Sequence, residues 1–268
     1  MIPPIEVLIP CRNAPAALWL TLTHLVAHAD CGEVKAVTLL DNRSTASGMD
    51  YVFSMAKNRG MRVIRHEENV GVWASVNRGL ALARAPWVVV LTSDVLLGPS
   101  AISILSQVMD QARGNLVHLG PLSVEGPDAL RAVPGLACPP GNVTVNTAHY
   151  NGAVWLMRWD VLRECVGWFD PNYYVSFGDV DYVERIRLAG LVCGVVPELL
   201  CIHLDKQTRR HDHTAQVDSD VDVRDSALFR AKWQDNPEVL AQHPQLSVEQ
   251  YIALKGGEAG WRGGKKLL

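Results

Sequence analysis

Residues 87–94 read WVVVLTSD. Five apolar residues, three of them valine, run straight into three polar ones. An unbroken β-branched run suits a strand buried on both faces, not one that alternates between core and water. A mainly parallel sheet covered by helices on both sides supplies that environment, and in such sheets ligands sit beyond the carboxyl ends of the strands. The Thr92-Ser93-Asp94 tail therefore falls at the functional edge. Taken alone, Asp94 suits two roles equally: an oxygen ligand for a hard divalent cation, or a turn acid that caps the helix after Pro99.

The flanking segments repeat the pattern. Short apolar runs at 7–9, 37–40, 62–64 and 116–119 predict four more strands. Between them, Leu18, Leu22, Leu25 and Val26 share one helical face, Val72, Val76, Leu80 and Ala83 a second, and Ile102, Leu105, Val108 and Met109 a third. The alternation predicts an α/β fold with a mainly parallel central sheet covered on both faces. Residues 121–150, rich in Pro and Gly, predict a long surface excursion. Beyond it we expect a strand at 153–157, a helix starting near Asp179 with Val183, Ile186 and Ala189 inward and Gly190 as its stop, and strands near 193–196 and 200–203. The polar segment 204–224 predicts a flexible loop, followed by a helix at 226–233 and an amphipathic stretch at 248–254.

Composition excludes several classes. The 268 residues suit one large α/β domain, and 48% apolar against 20% charged is ordinary for a soluble fold. A net charge of -3 gives no general attraction to nucleic acid or anionic membrane, with local basic spots only at Lys206, Arg209 and Arg210 and at Lys265 and Lys266. The six cysteines (11, 31, 138, 165, 193 and 201) fit no zinc spacing and read as reduced and mostly buried. With no leader-like N-terminus and no transmembrane segment, a cytoplasmic protein is expected, possible peripheral attachment to a membrane aside.

Several polar residues carry chemistry in this frame. Asp41, an acceptor-only carboxylate, suits the N–H edge of a uracil, thymine or guanine, or an Asx-turn with Asn42-Arg43-Ser44. Asn69-Val70-Gly71 precedes a helix whose N-terminus favours phosphate, though such a triplet is commonly just a turn. Asn77, two turns into that helix, reads equally well as an exposed surface residue. Asp179 and Asp181 stand at a helix start, where the dipole favours acids, and one of them would serve as a general base. His203 ends a short strand.

Together the segments VLIPCRN, DNRS, ENVGVWASVNRG, VVVLTSDVLLGP, NGAVWLMRWDVLRECVGWFDPNYY, FGDVDYVERIRLAG and CIH resemble glycosyltransferase family 2, an inverting family of GT-A fold, from about residue 5 to 235. The resemblance implies a Rossmann-like, nucleotide-sugar-binding half at 1–120, an acceptor-binding and catalytic half at 121–235, and a C-terminal tail at 236–268. It places Pro10, Arg12, Asp41, Asn69, Gly71, Asn77, Ser93, Asp94 and Gly152 around a nucleoside-diphosphate sugar (UDP, dTDP or GDP). It implies Mn2+ or Mg2+ on Asp94 and His203, and Asp179 as the base that activates a hydroxyl acceptor on a glycan, a lipid-linked sugar, a protein or a modified nucleic acid. Two positions depart from the family pattern: Thr92 replaces the first acid of the D-x-D motif, and Gly178 replaces the Glu beside the base. The competing readings are a nucleotidyltransferase, against which PCRNAPAA lacks a Gly-rich basic phosphate loop, and a non-catalytic nucleotide- or glycan-binding module.

Overall fold

The computed structural model describes residues 1–28, 32–112, 114–125, 136, 142–204 and 215–235. Eight strands form one sheet: β1 Ile5–Cys11, β2 Val34–Asp41, β3 Arg62–Arg65, β4 Trp87–Leu91, β5 Val95–Leu97, β6 Leu116–Glu125, β7 Val154–Arg158 and β8 Val192–His203. Their order is β3-β2-β1-β4-β7-β6-β8-β5. The first four strands run parallel, β7 is antiparallel to both β4 and β6, β8 is parallel to β6, and β5 closes the far edge antiparallel to β8.

The helices are α1 Pro15–His28, α2 Met49–Asn58, α3 Val72–Leu82, α4 Ala101–Gln111, α5 Trp159–Cys165, α6 Gly178–Leu188 and α7 Ala215–Trp233. Successive residues of each central strand serve opposite cores. Val7, Ile9, Val89 and Leu91 pack with α1, α2 and α4. Leu8, Val88 and Val90 pack with α3, α5, α6 and α7. This two-sided burial is why residues 87–91 need no polar alternation.

Several sequence expectations are corrected. The segment 204–224 is not a loop throughout, because α7 begins at Ala215. It carries no apolar period there, and its acids are held by tertiary contacts instead: Asp225 accepts from main-chain N–H groups and Asp222 from Ser176. The excursion after residue 120 begins later, since β6 continues to Glu125. The strands near 193–196 and 200–203 are one strand, β8, whose register against β6 shifts between Pro121 and Leu122. Val26 is half exposed and Ala189 is exposed, so each lies off the buried stripe assigned to it. Gly190 does stop α6: at φ +71 it donates to Arg187 O while Leu191 donates to Ile186 O, the paired bonds of a left-handed helix stop. Helices α2 and α5 and strand β5 had no counterpart in the sequence reading. Among the described cysteines, Cys11, Cys193 and Cys201 are buried, Cys165 is exposed and all four are free. Cys31, Cys138, the basic residues at 206, 209, 210, 265 and 266 and the stretch 248–254 lie outside the described residues.

Candidate functional site

The loops after β1 and β2 are tied to each other. Arg12 donates to the carbonyls of Asn42 and Arg43 at 2.8 and 2.7 Å. Asn13 accepts from the N–H groups of Thr45 and Ala46. Pro10 lies beyond Leu8↔Val90, the last rung between β1 and β4, where a strand residue without an N–H costs little. Asp41 is fully buried. Its Oδ1 accepts from Ser44 N–H at 2.9 Å, the local turn the sequence allowed, and its Oδ2 lies 3.0 Å from Arg65 Nε. A polar cavity of about 470 Å³ is lined by Arg43 from the same turn and by Glu67, Glu68 and Arg78.

Asn42, absent from the expected site, clamps the turn before α3: it donates to Gly71 O at 3.0 Å and accepts from Val70 N–H at 2.9 Å. Gly71 adopts φ +82, and a Cβ there would stand 2.7 Å from Tyr174 O. The close approach that this glycine permits is therefore to protein backbone. Val72 N–H, the first donor of α3, is taken by Tyr174 O at 2.7 Å. Asn69 accepts from Gly71 N–H, and its carbonyl accepts from Tyr174 Oη. Asn77 is neither a surface residue nor open: its amide bonds both the N–H and the carbonyl of Phe169.

The strap 170–176 that makes these contacts is held from behind by α7. The buried Asp225 carboxylate accepts from three consecutive N–H groups, of Tyr174, Val175 and Ser176. Lys232 bridges Asp170 and Asp181, and Trp233 donates to Asp181 at 2.9 Å. Asp181, fully buried and also paired with Arg185, is thus a structural acid, which separates it from Asp179.

The polar tail of β4 turns into β5, and β5 meets the end of β8. Asp94 and His203 face each other there, Oδ1 to Nε2, at 3.3 Å. The Asp94 carbonyl accepts from Leu204 N–H, which locks the corner. The other ring nitrogen of His203 lies 3.4 Å from Glu125 Oε1. Burial alone would lower the His203 ring, but hydrogen bonds to the two carboxylates outweigh it and hold the ring up at about 10. Among the described residues no three His, Cys, Asp or Glu side chains converge as a complete protein cage for a metal ion. Two ligands set at right angles around Mg2+ or Mn2+ would stand about 3 Å apart, so the spacing of Asp94 and His203 fits a shared cation completed by other oxygens. Ser93 is buried next to them, and Thr92 N–H bonds Ala153 O at 3.0 Å.

That bond leads to the neighbouring turn. Asn151 organises it, donating to Pro121 O and Ser123 Oγ and accepting from Ala153 and Val154 N–H. Gly152 lies directly under Asp179, and Tyr150 Oη donates to the same carboxylate at 3.4 Å. A Cβ on Gly178 would lie 2.3 Å from Trp73 Nε1, so the indole fills the space that a larger residue would need. Sequence reading missed Glu125, Tyr150, Asn151 and Asp225. Only Asn151 left a signal, as the Asn-Gly pair after the excursion.

Fold and strand ends thus define an α/β protein with a polar cleft at the carboxyl edge of its sheet. A family model described as glycosyl transferase family 2 matches residues 6–165, and the chain belongs to that family. It is 27% identical to a galactofuranosyl glycosyltransferase of Leishmania donovani over an alignment of 195 positions, covering 57% of this chain and 44% of the relative. It is 34% identical to a PGL/p-HBAD biosynthesis glycosyltransferase of Mycobacterium bovis over 93 residues, covering 34% of this chain and 36% of the relative. The chain thus spans under half the length of these curated relatives. GalNAc-T7, crystallised with UDP, GalNAc and Mn2+, superposes with a TM-score of 0.63 at 13% identity, covering 94% of this chain and 56% of that one. The mannosyltransferase PcManGT of Pyrobaculum calidifontis, in complex with GDP-Man and Mn2+, gives 0.59 at 15% identity, covering 97% and 82%. The fold is of the expected GT-A type. Among the described residues no helix is long and apolar enough to cross a membrane.

Proposed function

We propose that this chain is a metal-dependent, inverting glycosyltransferase that moves a sugar from a nucleoside diphosphate to a hydroxyl acceptor. The observation that carries the reading is the 3.3 Å pair of Asp94 and His203 at the corner of β4, β5 and β8, bonded through Thr92 and Ala153 to the turn beneath Asp179. Family membership and neighbours solved with UDP or GDP-Man and Mn2+ support it.

In this reading Asp94 and His203 hold Mn2+ or Mg2+, which when bound offsets negative charge on the donor diphosphate. Asp179 accepts the proton of the acceptor hydroxyl, whose oxygen attacks the anomeric carbon from the face opposite the diphosphate. The carbon–oxygen bond to the diphosphate breaks as the new one forms, so the anomeric centre inverts. Gly152 gives the carboxylate room and Tyr150 orients it. Residues 1–120 bind the donor and 121–235 the acceptor. Pro10, Arg12, Asn69, Gly71, Asn77 and Ser93 shape the donor wall, several of them by fixing the loops around it. A base that engages Asp41 displaces Arg65 from it. UDP, dTDP and GDP sugars all fit an acceptor carboxylate at that point, and the acceptor class is open.

The test is a thermal-shift titration of UDP, dTDP and GDP with and without Mn2+. The expected result is a nucleotide shift that needs Mn2+ and disappears in Asp94→Ala. Equal shifts in that variant would overturn the cation assignment. Asp179→Asn is expected to bind the donor normally and to lose at least a hundredfold in transfer, in line with the usual worth of a general base.

A further inference from the structure

We propose that Glu125 is a positioning residue for the cation site: it holds His203 in the one orientation and tautomer that leaves Nε2 facing Asp94. The proposal rests on the reading of Asp94 and His203 given above and goes beyond it, because Glu125 was no part of the expected site.

The placement comes from the sheet. His203 is the last residue of β8 and lies between two neighbours, paired with Val95 of β5 on one side and Glu125 of β6 on the other. Asp94 directly precedes β5. The imidazole is therefore threaded between two carboxylates, one on each nitrogen: Asp94 Oδ1 at 3.3 Å from Nε2 and Glu125 Oε1 at 3.4 Å from Nδ1. All three side chains are at least two-thirds buried, so water competes poorly for either nitrogen. The strand that carries Glu125 is itself braced, since Asn151 bonds Pro121 O and Ser123 Oγ two to four residues earlier.

A cation on Nε2 displaces the proton that the Asp94 contact otherwise keeps there; the neutral imidazole that results has one N–H, and the nitrogen that carries it cannot ligate. A carboxylate on Nδ1 keeps the proton there and fixes the ring plane, and losing such a partner typically weakens metal binding about 10–100-fold. Glu125 lies on the Nδ1 side and Asp94 on the Nε2 side, so Glu125 acts through the ring rather than on the cation.

The experiment is a Mn2+ titration of the full chain with UDP present, reading free Mn2+ by electron paramagnetic resonance. Wild type, Glu125→Gln, Glu125→Ala, His203→Ala and the double variant Glu125→Ala/His203→Ala are compared. Gln still offers a carbonyl to Nδ1–H, so Glu125→Gln is expected within about fivefold of wild type and Glu125→Ala about 10–100-fold weaker. In the His203→Ala background, Glu125→Ala is expected to change nothing further, because the ring it acts through is gone. Glu125→Ala within twofold of wild type overturns the proposal. So does Glu125→Gln as weak as Glu125→Ala, which would make the carboxylate a direct ligand, or a full additive loss in the double variant, which would make its effect independent of His203. Wild type that binds no Mn2+ would overturn the cation reading of Asp94 and His203 itself, a separate result from any difference among the Glu125 variants.

Discussion

A Cβ built on Gly152 would stand 2.5 Å from Oδ2 of Asp179. The atom it meets is the tip of a rotatable side chain, so a methyl group there moves the carboxylate and leaves the backbone in place. Gly152→Ala is expected to cost less than about 1 kcal/mol of stability and at least tenfold in transfer rate. Parallel urea melts and initial-rate assays check the split. A variant that melts normally and turns over normally would remove Gly152 from the site.

Gly178 meets a different obstacle. Its missing side chain would collide with the indole of Trp73, which stacks on Phe169 at 4.9 Å and donates to Val175 O. That ring cannot swing away cheaply. Gly178→Ala is expected to destabilise by about 2 kcal/mol through overpacking, and most of the loss should vanish in a Trp73→Leu background. Denaturant midpoints of the four combinations give the coupling, and simple additivity would refute the contact.

Trp73 thus fills the space that a side chain would need at Gly178, the position where the resemblance leads one to expect Glu. That contact was not legible in the sequence, since Trp73 and Gly178 are over a hundred residues apart. The central strands were legible because two-sided burial writes itself as an unbroken apolar run, as in residues 87–91. Strand β5, three residues long, leaves too short a pattern. The acids of the site were visible as residues but not as roles. Asp179 and Asp181 are indistinguishable at a helix start, and only the partners Lys232, Arg185 and Trp233 mark Asp181 as structural. Helix α7 was half hidden because its first half carries no apolar period, and Asp225 within it is held by backbone N–H groups, which carry no sequence signature.

Asp225 is the most consequential of those hidden contacts. Removing its carboxylate leaves three adjacent N–H groups without their acceptor. Asp225→Ala is expected to cost about 3 kcal/mol, measured by urea unfolding. A loss under about 0.5 kcal/mol would mean that water replaces the carboxylate without penalty.

His118 gives the fold a pH dependence of known sign. It is fully buried with its ring edge-on to Trp155 at 4.3 Å, and burial, only weakly opposed by the Asn151 main chain, pushes its pKa from 6.5 down to about 3. Between those values the unfolded chain binds a proton that the folded chain refuses, so stability falls as pH falls through that window. Relative to a His118→Phe variant, the wild type is expected to lose about 2 kcal/mol between pH 7 and pH 5. Unfolding curves of both proteins at the two pH values measure the difference, and parallel losses would show that His118 titrates normally.

The strap 170–176 draws its anchors from α7, and α7 follows every described strand. A nascent polypeptide can therefore complete these eight strands, through His203, before the helix that braces the strap has been made. Folding from the N-terminal side during synthesis would then finish the scaffold first and the entrance to α6 last. A chain interrupted between β8 and α7 would keep the described strands while Asp179 stood in the first turn of a helix without its brace, so the cleft takes its shape only after the scaffold that carries it.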